Sequence, residues 1–238
     1  MLAFLWMVPP LIALFVWMAA AGEGRIGGLD RGGFVAYYLV LIVVNQLTYA
    51  QANWTVGDVI RYGDLNAWLL RPIPVVYSFL SSEFAGKVVY LTFLLPVTAL
   101  LALLLRPELH VEPVNALLFL PSLLLAWALR TFWGMWVAEL AFWSTRADAL
   151  LVVQDSLVFV FSGLVAPVAL LPAGRGAWAV LLPFRYMVGF PVEIRTGQLS
   201  PVEIGQGLAL QAGWLALALL AARGLWRSGV RRYTAVGG

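Results

Sequence analysis

Three charged side chains lie inside long apolar runs and are the first candidates for chemistry. Arg130 and Glu139 belong to the run 116–143, and Asp155 lies in the next run. A charge at the middle of a membrane helix costs about 2.5–3.5 kcal/mol, so such residues face protein or a wet cavity. Nine positions separate Arg130 from Glu139, which places them on opposite faces of a helix. We predict that Arg130 faces a bundle or cavity, where a carboxylate or carbonyl groups neutralise it.

The role of these three residues is open between two alternatives. They could form structural contacts between helices, or they could line a substrate pathway or a proton relay. The short turn Ser144–Asp148 joins the two runs. Glu139 and Asp155 are therefore expected at similar, shallow depths, with Arg130 deeper.

A second charged group lies among apolar anchors in residues 54–82, which we call the coupling segment. Its candidate contact residues are Asp58, Arg61, Asp64, Trp68 and Arg71. Charge mixed with apolar residues, without a continuous apolar run, predicts short helices at the membrane interface. Arg61 and Asp64 are three positions apart and are expected to pair on one helix face. The segment is either a rigid surface on which a partner pushes or a solvated loop without a partner.

Several kinds of catalytic and metal site are excluded by composition. The chain has no cysteine and one histidine, His110, which excludes thiolate sites, disulfides and two-histidine zinc sites. Gly86 and Lys87 are followed by Val88 and lack the upstream glycine of a phosphate-binding loop. We expect a non-catalytic chain with no cofactor, no metal and no nucleic-acid partner, whose energy comes from elsewhere.

The elements that hold these residues follow from composition. Of 238 residues, 62% are hydrophobic and 11% are charged, against roughly 45–50% and about 25% in soluble domains. About 20 apolar residues cross a bilayer. The chain is therefore predicted to be an all-α polytopic membrane protein forming one transmembrane domain over residues 1–238. Six spans are expected, at 1–21, 33–52, 84–105, 116–143, 149–171 and 204–225.

Two segments need separate interpretation. Residues 1–21 lack a basic leader and are predicted to be a span, with a cleaved signal peptide as the alternative. Residues 172–201 are aromatic but broken by glycine and proline. Irregular backbone at membrane depth must be buried in protein or face a wet cavity, so this segment is expected to form short re-entrant or interfacial helices outside.

Orientation follows from the basic residues of the C-terminal tail, which stay on the cytoplasmic side. They are Arg223, Arg227, Arg231 and Arg232. Counting back through six spans places the N-terminus, the coupling segment and the turn Ser144–Asp148 in the cytoplasm. The expected location is a bacterial inner membrane.

Three stretches resemble one family of transport proteins. They are GDLNAWLLRPIP at Gly63–Pro74, LPFRYMVGFPVEIRTGQLS at Leu182–Ser200 and GVRRYTAVGG at Gly229–Gly238. Their order and spacing are similar to those of ABC-2 type permeases, in the six-span group of daunorubicin- and viologen-exporter-like permeases. In that group a basic stretch usually precedes the first span, whereas Met1 here already lies in apolar sequence.

The resemblance implies an ABC-2, type V exporter-like fold and a permease subunit of an ABC transporter. Such a subunit pairs with a second copy or a related permease and docks cytoplasmic ATPase subunits through its coupling segment. It would export a hydrophobic or amphipathic compound. Two alternatives are an ion-gradient-driven secondary transporter, in which Glu139 or Asp155 titrates, and a membrane-embedded lipid enzyme, which needs a polar catalytic cluster.

Overall fold

A computed structural model describes residues 7–109, 112–170 and 180–233, and these contain helices and no β-strand. The α-helices are α1 Val8–Ala21, α2 Arg31–Thr48, α3 Ala52–Arg61, α4 Leu65–Leu69, α5 Val75–Leu105, α6 Pro113–Glu139, α7 Ala147–Phe161, α8 Pro183–Met187, α9 Gly189–Arg195 and α10 Pro201–Val230. Short 3-10 turns follow α6 at Leu140–Phe142 and precede the gap at Val168–Leu170.

Four stretches of the described chain are long and apolar enough to cross a bilayer. The first is residues 31–61, which comprise α2 and α3. The other three are α5, α6 with its 3-10 extension, and α10. These helices confirm the predicted all-α polytopic membrane fold. α1 and α7 have 14 and 15 residues, which span only about 21 and 23 Å at 1.5 Å per residue.

Two helix boundaries differ from those expected from the apolar runs. α5 begins at Val75 instead of 84, so residues 75–82 of the coupling segment are the first turns of a spanning helix. Pro74 sits at its N-cap in an extended conformation, because a proline does not continue a helix from the preceding residues. α7 ends at Phe161, ten residues before the expected end, and Gly163 follows with a positive φ of 96°.

Local sequence sets the starts of two long helices. Asp30 precedes α2, and its Oδ1 accepts a 2.8 Å hydrogen bond from the Gly33 amide. Ser200 and Glu203 form a reciprocal capping box at the start of α10, with Pro201 in the first turn. Both arrangements give partners to backbone amides that a helix start leaves unbonded.

The core lies around α2. In its apolar window 67% of the residues are buried, against 11% for α5. Large α2 side chains such as Phe34, Tyr37 and Tyr38 are fully buried, in one cluster with residues of α6, α8 and α9. α2 is therefore the central helix of the bundle, and α5 is a peripheral one.

Candidate functional site

α3 and α4 form the surface at one end of the bundle. α3 buries Val56, Val59 and Ile60 while Asp58 stays exposed, which is the one-sided pattern of an amphipathic helix. α3 also approaches α6 very closely, since a Cβ on Gly134 would lie 1.9 Å from the Asn53 Nδ2 atom. The first part of the coupling segment is thus fixed to the bundle along one face.

Arg61 connects α3 to the turn before α7. Its Nη1 lies 3.1 Å from the Asp148 Oδ2, and its Nη2 lies 3.7 Å from the Asp58 Oδ1. Among the described residues Asp64 takes part in no ion pair, contrary to the pairing expected from spacing. α3 ends at Arg61, and Gly63 turns the chain with a φ of 84°, so the helical spacing does not extend to Asp64.

Trp68 and Arg71 hold α4 against the start of α5. The Trp68 ring stacks on Phe79 with centroids 4.7 Å apart, and the Arg71 guanidinium lies 4.1 Å above the Trp68 ring. Stacked aromatic pairs and cation–π contacts each stabilise by about 0.5–1.5 kcal/mol. Four apolar side chains of residues 62–74 are exposed. We call them the coupling tip: Tyr62, Leu69, Leu70 and Ile73.

A buried ion pair holds the break between α2 and α3, and we call it the clasp. Lys87 Nζ lies 2.7 Å from Glu83 Oε1, and the two side chains are only 8% and 3% exposed. The Lys87 ammonium donates to the Tyr49 carbonyl at the end of α2. The Glu83 Oε2 accepts a 2.8 Å hydrogen bond from the Ala52 amide at the start of α3.

The signs of the clasp match the helix ends that it touches. A cation is favoured at the C-terminal end of a helix and an anion at the N-terminal end. The clasp also satisfies backbone groups that the break would leave unbonded. Sequence reasoning missed this role, although the four-residue spacing of Glu83 and Lys87 was a usable signal for an ion pair on one helix face.

Arg130 is buried between α6 and α2. Its Nη1 donates to the Asn45 Oδ1 at 2.8 Å and to the Thr48 Oγ1 at 3.2 Å, and its guanidinium lies 5.2 Å from the Tyr49 ring centre. The described hydrogen-bond partners are thus the side-chain carbonyl oxygen of Asn45 and the Thr48 hydroxyl. A cavity of about 100 Å³ separates Arg130 from Asp155, and both residues line it.

Glu139 and Asp155 lie in different surroundings. Asp155 lines the same cavity as Arg130. Glu139 is 2% exposed, and its Oε2 has no hydrogen-bond partner within the described part of the chain. The three predicted residues therefore divide into one pair around a cavity and one separate carboxyl group.

The segment expected to be re-entrant is described from residue 180 onward, and residues 171–179 lie outside the described ranges. α8 and α9 are joined by Arg185 and Glu193, whose Nε and Oε2 atoms lie 3.0 Å apart, both side chains being buried. The Gln211 amide on α10 donates to the carbonyls of Tyr186 and Ser122 at 2.9 and 3.0 Å. These bonds fix α8 to α6 and α10.

The coupling segment, the turn before α7 and the end of α10 meet at one end of the bundle. Arg61 reaches Asp148 there, and Phe142 contacts Trp226 and Tyr233 with ring centres 5.9 and 6.1 Å apart. A Cβ on Gly229 would collide with the Phe142 ring. The Arg-rich end of α10 is thus on the same side as α3 and α4.

The described helices thus form an all-α membrane bundle with charged short helices at one end and a buried ion pair at the break between α2 and α3. The model of the ABC-2 family transporter proteins matches residues 4–237, and the chain therefore belongs to this family. This confirms the resemblance and makes the chain a membrane permease component of an ABC transporter, a family that associates with an ABC ATPase. No curated protein and no solved structure matches the chain.

The clasp predicts a stability difference that depends on which charge is removed. Lys87→Met leaves the Glu83 carboxylate buried without its cation, which destabilises by about 3–5 kcal/mol. Adding Glu83→Gln removes the unpaired charge and keeps an acceptor for the Ala52 amide, so we expect part of that loss to be recovered. Thermal unfolding of the purified protein in detergent measures both variants.

Arg25→Gln is the matched control for the clasp. Arg25 pairs with Asp30 at 3.5 Å on the surface, where an ion pair contributes about 0–1 kcal/mol. If the Lys87→Met protein melted at the same temperature as the Arg25→Gln protein, a stabilising role for the clasp would be contradicted.

Arg130 and Asp155 predict non-additive stability changes across their cavity. Arg130→Met removes the cation that lines the cavity and leaves the Asp155 carboxylate without a nearby positive charge, at a cost of about 3–5 kcal/mol. Adding Asp155→Asn should recover part of this loss, which a double-mutant cycle of melting temperatures measures. Additive effects of the two substitutions would show that Arg130 does not neutralise Asp155.

Proposed function

We propose that this permease pairs with a second copy or a related permease, docks two copies of a cytoplasmic ATPase, and exports a hydrophobic or amphipathic compound. Closure of the ATPase dimer would push on the coupling segment and rock the paired bundles from inward-open to outward-open. The observation that carries the proposal is the coupling tip. It is an exposed apolar surface at the charged end of the bundle, where a membrane permease meets the cytoplasm.

The coupling tip has the composition of a docking surface. Leu70 is 86% exposed, and Asp64 and Arg71 beside it are exposed charges. An apolar patch rimmed by polar groups is typical of a protein interaction site. A groove on an ATPase would bury the tip, while the surrounding charges set its orientation.

The contacts behind the tip supply a path for force. The stack of Trp68 on Phe79 connects α4 to α5, and the Arg61–Asp148 pair connects α3 to the start of α7. Displacement of the tip would therefore reach two membrane helices through side chains already in contact. Asp58, Arg61, Asp64, Trp68 and Arg71 thus divide into residues that would face the ATPase and residues that transmit its movement.

Orientation in the membrane is part of the same proposal. The end of α10 carries Arg223, Arg227, Arg231 and Arg232, and basic segments stay cytoplasmic. Because Tyr233 lies against Phe142 at the coupling end, that end would face the cytoplasm of a bacterial cell. Both termini are then cytoplasmic in a six-span chain.

Leu70→Asp tests the docking surface. The side chain is exposed, so folding should be unchanged, while a charge in the apolar contact should reduce ATPase capture at least about tenfold. The permease is co-expressed with candidate ABC ATPases of the same genome, and co-purification is quantified. Leu181→Asp is the matched control, since Leu181 is 59% exposed and lies outside the coupling segment.

Equal ATPase capture by both leucine variants would contradict docking through the tip. Transport that continues without any ATPase and stops with a proton uncoupler would instead support the ion-gradient alternative. Its candidate groups are Asp155 and Glu139, whose Oε2 has no hydrogen-bond partner among the described residues.

The Arg61–Asp148 pair predicts a loss of coupling without a large loss of stability. Both side chains are partly exposed, so breaking the pair costs at most about 1 kcal/mol. Arg61→Glu should therefore keep ATPase binding but reduce ATPase-dependent transport in vesicles. The exchange Arg61→Asp with Asp148→Arg restores the opposite charges and should recover transport. If the exchange variant transported no better than Arg61→Glu, a role for the pair in transmitting movement from α3 to α7 would be contradicted.

A further inference from the structure

A cavity lies beside the break between α2 and α3. Its volume is about 360 Å³, and α5 forms one wall while α2, α3 and α4 form the other. Pockets that hold small molecules measure about 300–1,000 Å³. The cavity is therefore large enough for a small molecule, or for one end of a larger amphipathic molecule.

We propose that this cavity binds an uncharged aromatic group of an amphipathic ligand. Four aromatic side chains line it, namely Tyr49, Trp68, Phe79 and Tyr90. Aromatic side chains from the end of α2 and from α4 and α5 favour an aromatic ligand, because offset-stacked and edge-to-face pairs stabilise beyond simple burial. Glutamine side chains at 46 and 51 add hydrogen-bonding groups to the same wall.

The charge balance of the wall determines the charge of the ligand group. Glu83 and Lys87 are the charged residues that line the cavity, and they lie 2.7 Å apart. Each is also bonded to the backbone of the helix break, at Ala52 and Tyr49. No unbalanced charge of the described lining is left to receive an ion, and burying an unpaired charge is costly. The inserted group is therefore neutral.

Gly86 keeps the cavity open. It lies on the α5 wall, and a Cβ placed on it would meet no atom within 4 Å. Glycine inside a helix costs about 1 kcal/mol relative to alanine. A Cβ at this position would therefore enter open space, and we expect a larger side chain to extend into the cavity.

The ligand assignment rests on the proposed function, because the bound molecule is taken to be the exported compound. The cavity lies next to the coupling segment, since Trp68 and Phe79 belong to both. A ligand in the cavity would contact the residues that hold α4 in place.

Photolabelling of the purified permease, without ATPase, tests the site. The probe is the neutral 3-trifluoromethyl-3-phenyldiazirine, and labelled residues are mapped by mass spectrometry. We expect labelling on both walls of the cavity, and a probe carrying a trimethylammonium group should label these walls less. Gly86→Leu fills the space and should reduce cavity labelling at least about tenfold.

Three further variants serve as controls. Gly213→Leu on α10 is the matched substitution, because Gly213 is equally open but does not line the cavity, and labelling should stay at the wild-type level. Gly86→Ala should label as the wild type does, which separates filling from helix propensity. If Gly86→Leu melts early, Ser82→Leu fills the same cavity from one turn away and should give the same loss.

Undiminished cavity labelling in both filling variants would overturn the proposal. Stronger labelling by the charged probe would overturn the neutral assignment, and exclusive labelling by a diazirine fatty acid would identify a lipid chain as the occupant instead. Since the assay contains no ATPase, failure of ATPase capture in the Leu70→Asp test and failure of ligand binding here are distinguishable.

Discussion

The break between α2 and α3 is the constraint on which the rest of the structure depends. In an apolar bundle every free backbone amide and carbonyl needs a hydrogen-bond partner from the protein, since water is absent from the hydrocarbon region. Glu83 and Lys87 supply these partners for the Ala52 amide and the Tyr49 carbonyl. They also tie α5, the peripheral helix, to the central helix α2. The clasp therefore contributes to both the direction of α3 and the position of α5.

The direction of α3 after the break determines the charged end of the bundle. α3 crosses α6 where Gly134 admits the Asn53 side chain, and it then presents Arg61 to Asp148. The chain turns at Gly63 and returns along α4, where Trp68 meets Phe79 on α5. The clasp and this stack therefore contact α5 at two positions near its start. A load applied to the coupling tip is therefore shared between α5 and the α6–α7 turn.

Much of this architecture was predictable, and the rest depended on contacts between distant residues. Composition alone requires apolar helices, and three motifs indicate the family. The start of α5 at Val75 could have been read from Pro74. The partner of Arg61 could not, because it depends on the packing of α3 against α7. Arg130 is likewise buried, and its amide and hydroxyl partners come from α2, 85 and 82 positions away.

The clasp also explains why a polar cavity can exist beside a helix break. An ion pair has no net charge left to balance a charged guest, so it forms a polar but electrically neutral wall. The opposite wall includes Trp68, whose ring also contacts Phe79 and the Arg71 guanidinium. A guest that displaced this ring would shift α4, and a shift of α4 would change the cavity. If the cavity binds such a guest, its binding and the movement of the coupling segment would be energetically linked in both directions.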